Sequence, residues 1–425
     1  MGLREDLLEV VDFAVRRVLP DRAVEEAIER ERIDRLDNLY LVAIGKAAWR
    51  MAKAAKEKLK DKVKRGIVIT KYKHSLGDIE GLEVYEAGHP IPDENTLLST
   101  EKALRLAGEL KEGDNLLFLV SGGGSALFEL PMEGVSLEDL KKVNELLLKS
   151  GADIVEMNTV RKHISRVKGG RFAQAVYPAF VYSLILSDVL GDRLDSIASG
   201  PAYPDETTYK DALKVIDKYS LMDKMPSAVM EIIERGARGE IPDTPKEINN
   251  VRSVIIGSVS LACKYAMDKA KELGYKTLFL TSTLNCEASE AGRFIAEILK
   301  EIKRSSNPIS PPCMIVLGGE PVVHVKGSGK GGRAQELALS VAIAIKGESN
   351  VALVSVGTDG TDGPTDAAGG IVDGKSFYRM LSSGVDPEKA LSDNDSYNAL
   401  KASGDLVITG PTGTNVNDII IGAVI

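Results

Sequence analysis

The sequence predicts an α/β fold of two domains, with an open and mostly parallel sheet. Three observations predict it. Short apolar or β-branched runs recur along the chain without the alternation of a half-exposed strand, as expected of strands buried on both faces. Helical patterns fill the intervals, the rhythm of βαβ units. Glycines, 40 in all, cluster directly after the runs instead of being spread evenly. In open α/β sheets ligands bind at the carboxyl ends of strands, which is where these glycines fall.

The elements follow in order. The run 39–44 is followed by Gly45-Lys46, and 116–120 by Ser121-Gly122-Gly123-Gly124-Ser125. The run 182–186 leads into Ser187-Asp188, 314–317 into Gly318-Gly319-Glu320, and 351–356 into Gly357-Thr358-Asp359-Gly360. Helical patterns cover 104–110, 137–149, 260–273, 287–303 and 334–345. The stretch 235–250 is polar and broken by Pro and Gly, then gives way to a fresh strand at 254–256. It divides the chain into an N-terminal domain, 1–238, and a smaller C-terminal domain, 239–425. A chain of 425 residues exceeds the ~250–300 at which single cores stop growing, so two domains are the default.

Composition narrows the function. A formal net charge of −8 argues against nucleic acid or an anionic membrane as partner, while a local basic cleft for small anions remains compatible with it. Residues 1–17 alternate charged and apolar side chains as an amphipathic helix, unlike a signal peptide, and no apolar run reaches the ~20 residues that span a bilayer. Cys263, Cys286 and Cys313 lack zinc-site spacing and suit a reducing compartment. The expectation is a cytoplasmic protein acting on small molecules, with a homodimer left open.

The strand-end loops carry the chemistry. Gly122, Gly123 and Gly124 leave backbone N–H groups unobstructed between a strand and a helix, which makes either a tight turn or, with Ser121 and Ser125, an anion nest. Gly327, Gly329 and Gly332 satisfy G-x-G-x-x-G, but no acidic residue ends a second strand at the expected distance. Gly331 after Lys330 also breaks the P-loop pattern, leaving a Gly-rich loop with Lys330 and Arg333. Asp188 and Asp359 each stand at a strand end, where a short carboxylate either closes an Asx-turn or holds Mg²⁺. Lys46 follows the first strand and projects into a cleft. Asn158, Arg161, Lys162, His163, Lys168 and Arg171 make a cationic stretch that is either a solvated face or a phosphate channel. Glycine loops, cations and Asp at strand ends, without a Ser-His-Asp or Cys-His set, are the parts that phosphoryl transfer uses.

Taken in order, Gly45-Lys46-Ala47-Ala48, Ser121–Leu127, the Asn158–Arg171 stretch, Ser187–Asp192, Ile197–Pro201, Gly318-Gly319-Glu320, Gly357–Gly363, Asn394–Tyr397 and Thr409–Asp418 resemble the glycerate 2-kinases of the MOFRL type across nearly the whole chain. The resemblance implies a Rossmann-like N-terminal domain and a smaller α/β C-terminal domain. It implies transfer of the ATP γ-phosphoryl to D-glycerate with Mg²⁺, giving 2-phosphoglycerate and ADP. Lys46 and Arg333 match the family's active-site lysine and arginine. On this reading Lys46, Ser121 and Arg333 touch substrate. Gly122, Gly123, Gly124, Ser125, Asn158 and Lys168 hold the nucleotide, and Asp188 and Asp359 hold the metal. Two departures stand out: Ala334 replaces the Asn usual after that arginine, and Asn285-Cys286 precedes Glu287 where Gly is commoner. The rival readings are an NAD(P)-dependent hydroxy-acid dehydrogenase, carried by Gly327, Gly329 and Gly332, and a non-catalytic two-lobe sugar-acid binding protein.

Overall fold

The computed structural model describes residues 2–425. The chain forms two compact units, Pro20–Ile256 and residues 2–19 with Gly257–Ile425. The polar stretch 235–250 lies inside the first unit, ahead of its last strand, so the division drawn at 238/239 from composition falls within that unit. No helix among the described residues is long and apolar enough to cross a membrane.

The first unit is a six-stranded parallel sheet. Its strands are β1 (Leu39–Ile44), β2 (Val63–Lys71), β3 (Leu82–Ala87), β4 (Asn115–Val120), β5 (Phe180–Leu186) and β6 (Val251–Gly257), in the order β3-β2-β1-β4-β5-β6. In β1 and β4 all but one residue each is buried, which is why their sequences read as unbroken apolar runs. The order reverses between β1 and β4, the switch point at which such sheets bind ligands. Phe118 and Phe128 pack on Phe172, with ring centroids 4.9 and 5.0 Å away, in the core behind that point. A separate helical core joins Leu137–Ser150, Ile154–His163, Tyr209–Lys218 and Ser227–Ala237 through Val143, Leu147, Val160, Ile216 and Ile233. Ser136 and Asp153 cap the first two of these helices by accepting the N–H of Asp139 and Glu156.

The second unit holds a mixed sheet. β7 (Lys276–Leu284), β8 (Cys313–Gly319), β9 (Val351–Gly357), β10 (Gly369–Asp373), β11 (Leu406–Val407) and β12 (Asp418–Val424) lie in the order β11-β10-β9-β12-β8-β7. β12 is antiparallel to both β8 and β9, so β8 and β9 end on one edge where β12 begins. The wholly buried run of β9 reads as a parallel strand, yet both of its neighbours, β10 and β12, are antiparallel to it. A central strand covered on both faces loses alternation whatever its direction. The helix Arg333–Ala344 crosses this sheet almost wholly buried.

Candidate active site

Each predicted residue of the first unit can be followed from its strand. Lys46 leaves the end of β1, its N–H donating to Gly122 O at 2.8 Å, which stitches the β1 loop to the loop after β4. Its side chain is half-buried beside Gly123, and its ammonium has no carboxylate partner among the described residues. Gly123 takes φ of +85°, the left-handed region that a glycine enters freely, and the helix Gly124–Leu127 starts behind it. A Cβ on Gly122 would collide with Asp188, which lies at the end of β5, so that carboxylate rests on the flank of the loop. One such carboxylate beside a glycine loop is compatible with Mg²⁺, which takes few protein ligands and keeps waters and phosphate oxygens.

Ser125 Oγ lies 2.9 Å from Ser199 Oγ, which donates in turn to Asn158 Oδ1 at 3.2 Å. Ala198 and Ser199 both hold positive φ, 51° and 61°. Each such non-glycine residue costs about 1–2 kcal/mol, and backbone strain of this kind clusters at functional sites. The strained turn brings Ser199, which the sequence reading left unassigned, to the nest.

Two predicted residues take other places. Ser121 is buried, and its hydroxyl donates to Ile44 O and accepts the Ala47 N–H, both at 3.1 Å. It shapes the β1 loop and has no capacity left for a substrate's carboxylate. Lys168 is buried beneath the nest, where its three N–H groups meet Ser125 O at 2.8 Å, Phe128 O at 3.0 Å and Glu129 Oε2 at 2.9 Å. A lysine with all its donors spent inside the protein supports the loop from below and does not reach a phosphate. His89, just after β3, is the residue that sequence reasoning missed. It lies with Lys46 over Gly123: a Cβ there would lie 3.0 Å from His89 Nε2 and 3.2 Å from Lys46 Cγ. Its position directly after a strand was the available signal.

In the second unit Arg333 and Asp359 line one cavity of about 720 Å³ at the ends of β8 and β9. Arg333 presents no free fork. Nε and Nη2 donate to Asp418 at 2.6 and 3.1 Å, and Nη1 donates to Glu320 at 2.8 Å. Burial pushes Asp418 up to about 7, against the downward pull of Arg333. Asp359 Oδ1 accepts the Thr361 N–H at 2.9 Å, an Asx-turn, and no group of three or more His, Cys, Asp or Glu placed to hold a metal exists among the described residues. Ala334 is buried, and its N–H donates to Asp362, which caps the helix from the neighbouring loop.

The Gly-rich loop 326–332 is not a nest either. Asn394 Oδ1 accepts the N–H of Lys326 and of Gly327 at 2.7 and 3.0 Å. Asp393 takes those of Ser328 and Gly329, and Asp395 takes that of Lys330. The Lys330 ammonium stacks over the Tyr397 ring at 4.5 Å. A Cβ on Gly327, Gly329 or Gly331 would collide with the loop 393–396, and one on Gly332 with Asp362. The G-x-G-x-x-G match thus reflects close backbone packing, with the N–H groups of residues 326–330 already spent.

A family model described as "Domain of unknown function (DUF4147)" matches residues 6–234, and one described as "MOFRL family" matches residues 313–418. A Thermotoga maritima protein named D-glycerate 2-kinase is 56% identical over 424 residues, which is 100% of this chain and 99% of its own. A crystal structure of a Thermotoga maritima glycerate kinase matches with a TM-score of 0.94 at 56% identity, covering 100% of this chain and 99% of that one. An Agrobacterium vitis protein, 40% identical over 99% of this chain and 94% of its own, bears a provisional hydroxypyruvate reductase name. With a family model at each end and full-length relatives at this identity, the chain belongs to the glycerate kinase family, of the MOFRL type.

Proposed function

We propose that the chain transfers the γ-phosphoryl group of ATP to D-glycerate, giving 2-phosphoglycerate and ADP in the presence of Mg²⁺. The observation that carries this reading is the pairing of an open triple-glycine loop with an ammonium, that of Lys46, that no carboxylate neutralises. The backbone N–H groups of Gly122, Gly123 and Ser125 bind phosphate oxygens, that of Gly124 being spent on Ser121 O at 3.3 Å. Lys46 neutralises charge on the phosphoryl group as it passes between oxygens. Ser125, held by Ser199 and Asn158, orients a further oxygen. Asp188 would hold Mg²⁺, which when bound supplies charge neutralisation on the β and γ oxygens. Relatives named glycerate kinase supply the substrate in this reading.

The reductase name on one relative raises the dehydrogenase alternative. The loop that suggested a dinucleotide site has the N–H groups of residues 326–330 engaged by the loop 393–395, which weighs against it. Both readings meet in one experiment. The expected result is ADP release that needs D-glycerate and Mg²⁺ together, with a product that enolase consumes directly. NADH oxidation with hydroxypyruvate and no ADP release would replace the kinase reading with the reductase one.

A further inference from the structure

We propose that His89 receives the proton of the acceptor hydroxyl during phosphoryl transfer, a role that rests on the kinase reading above. The chain has four histidines. Three are engaged: His74 Nδ1 lies 3.1 Å from Lys46 O, His163 contacts Thr159 O and Asp243 at 2.7 and 2.9 Å, and His324 pairs with Glu287. Neither ring nitrogen of His89 has a hydrogen-bond partner among the described residues, although the ring is half-buried. Nε2 lies over Gly123, the central glycine of the loop: a Cβ there would sit 3.0 Å from Nε2 and 3.2 Å from Lys46 Cγ, so the ring and the Lys46 stem share that face of the loop. An imidazole in this position, with nothing in the protein to bond to, has the geometry of a group waiting for a ligand's hydroxyl.

The surroundings keep it able to accept. Burial, then Lys46, Lys71 and His74, lower its pKa below the ordinary histidine range. Of the carboxylates that flank it in the chain, Glu86 accepts the Ser75 N–H at 3.0 Å, and Asp93 is spent on the N–H groups of Gly88 and Thr96 and on the Tyr72 hydroxyl. Asp188 lies against Gly122, the neighbouring glycine of the nest. His89 is therefore neutral at pH 7. In the step proposed, the hydroxyl O–H bond breaks and its proton passes to the imidazole. The hydroxyl oxygen bonds to the γ-phosphorus as the bond from that phosphorus to the β–γ bridging oxygen breaks. ADP leaves with that electron pair, and the imidazolium later returns its proton to water.

The test is the pH profile of D-glycerate-dependent ADP release for the intact chain, His89→Gln and His89→Ala. The wild type should lose kcat/KM on acidification with a midpoint below about 6.5, the ordinary histidine value. His89→Gln should lose kcat by ~10²-fold, the low end for general acid–base catalysis because the transition state of phosphoryl transfer is loose, and its acid limb should flatten. Added imidazole should restore part of the rate to His89→Ala. A His89→Gln enzyme within about threefold of wild type, or one that keeps the acid limb, overturns the proposal. If neither variant folds, the wild-type profile decides, since absence of the acid limb is also fatal. No turnover of D-glycerate by the wild type at any pH would instead overturn the kinase reading on which the proposal stands.

Discussion

Lys46, Lys168 and Arg333 look alike in the sequence: each is a cation beside glycines. Their partners separate them. Lys46 has no carboxylate, Lys168 is saturated by two carbonyls and Glu129, and Arg333 is held by Asp418 and Glu320. Pairing of this kind joins residues tens of positions apart, so no local pattern reveals it. The residue types at the nest were legible, and so was Lys46; which cations were already spent was not. His89 was missed because attention followed glycines and acids, although it too stands just after a strand. The reassignment of Lys168 has a direct test. Lys168→Met strips the partner from Glu129, which is 5% exposed, and breaking a buried pair costs about 3–5 kcal/mol. Denaturant unfolding should show a loss of that size. A variant of native stability with a raised KM for ATP would return Lys168 to the nucleotide site.

At the scale of elements, the two glycine-rich loops behave oppositely for a reason the sequence carries only in part. The loop 121–125 is open at the sheet's switch point, while the loop 326–332 is clipped by residues that come some sixty positions later. Spacing of glycines reports where backbone approaches something closely. It does not report whether that something is a phosphate or another loop. Asn394 is the clip, since it also donates to buried Glu336 at 2.9 Å and holds φ of 55°. Asn394→Ala leaves two N–H groups and one carboxylate oxygen without their partner, at about 1–3 kcal/mol for each group that stays buried. Hydrogen exchange at 326–330 should speed up markedly in the variant. Unchanged protection there would show that the loop is held by other contacts.

At the scale of the whole molecule, run lengths made the α/β class and six strands, β1, β4, β5, β6, β8 and β9, legible, because a strand covered on both faces cannot alternate. The direction of β9 and β12 was not legible for the same reason. Nor was the membership of the helix Leu3–Arg17 in the unit that contains Gly257–Ile425, since its apolar stripe of Leu7, Val10, Val11 and Ala14 does not name the surface it covers. What the fold does place at the β1/β4 switch point of the parallel sheet is Lys46 against the loop 121–125, and the proposed function organises phosphoryl transfer there around Lys46. The most direct measurement is kcat/KM for D-glycerate-dependent ADP release by Lys46→Ala, alongside its circular dichroism spectrum. The account predicts a native spectrum and a loss of ~10²–10³-fold, as when an enzyme loses one group that stabilises developing charge. Turnover near the wild-type value in a folded Lys46→Ala protein would contradict it.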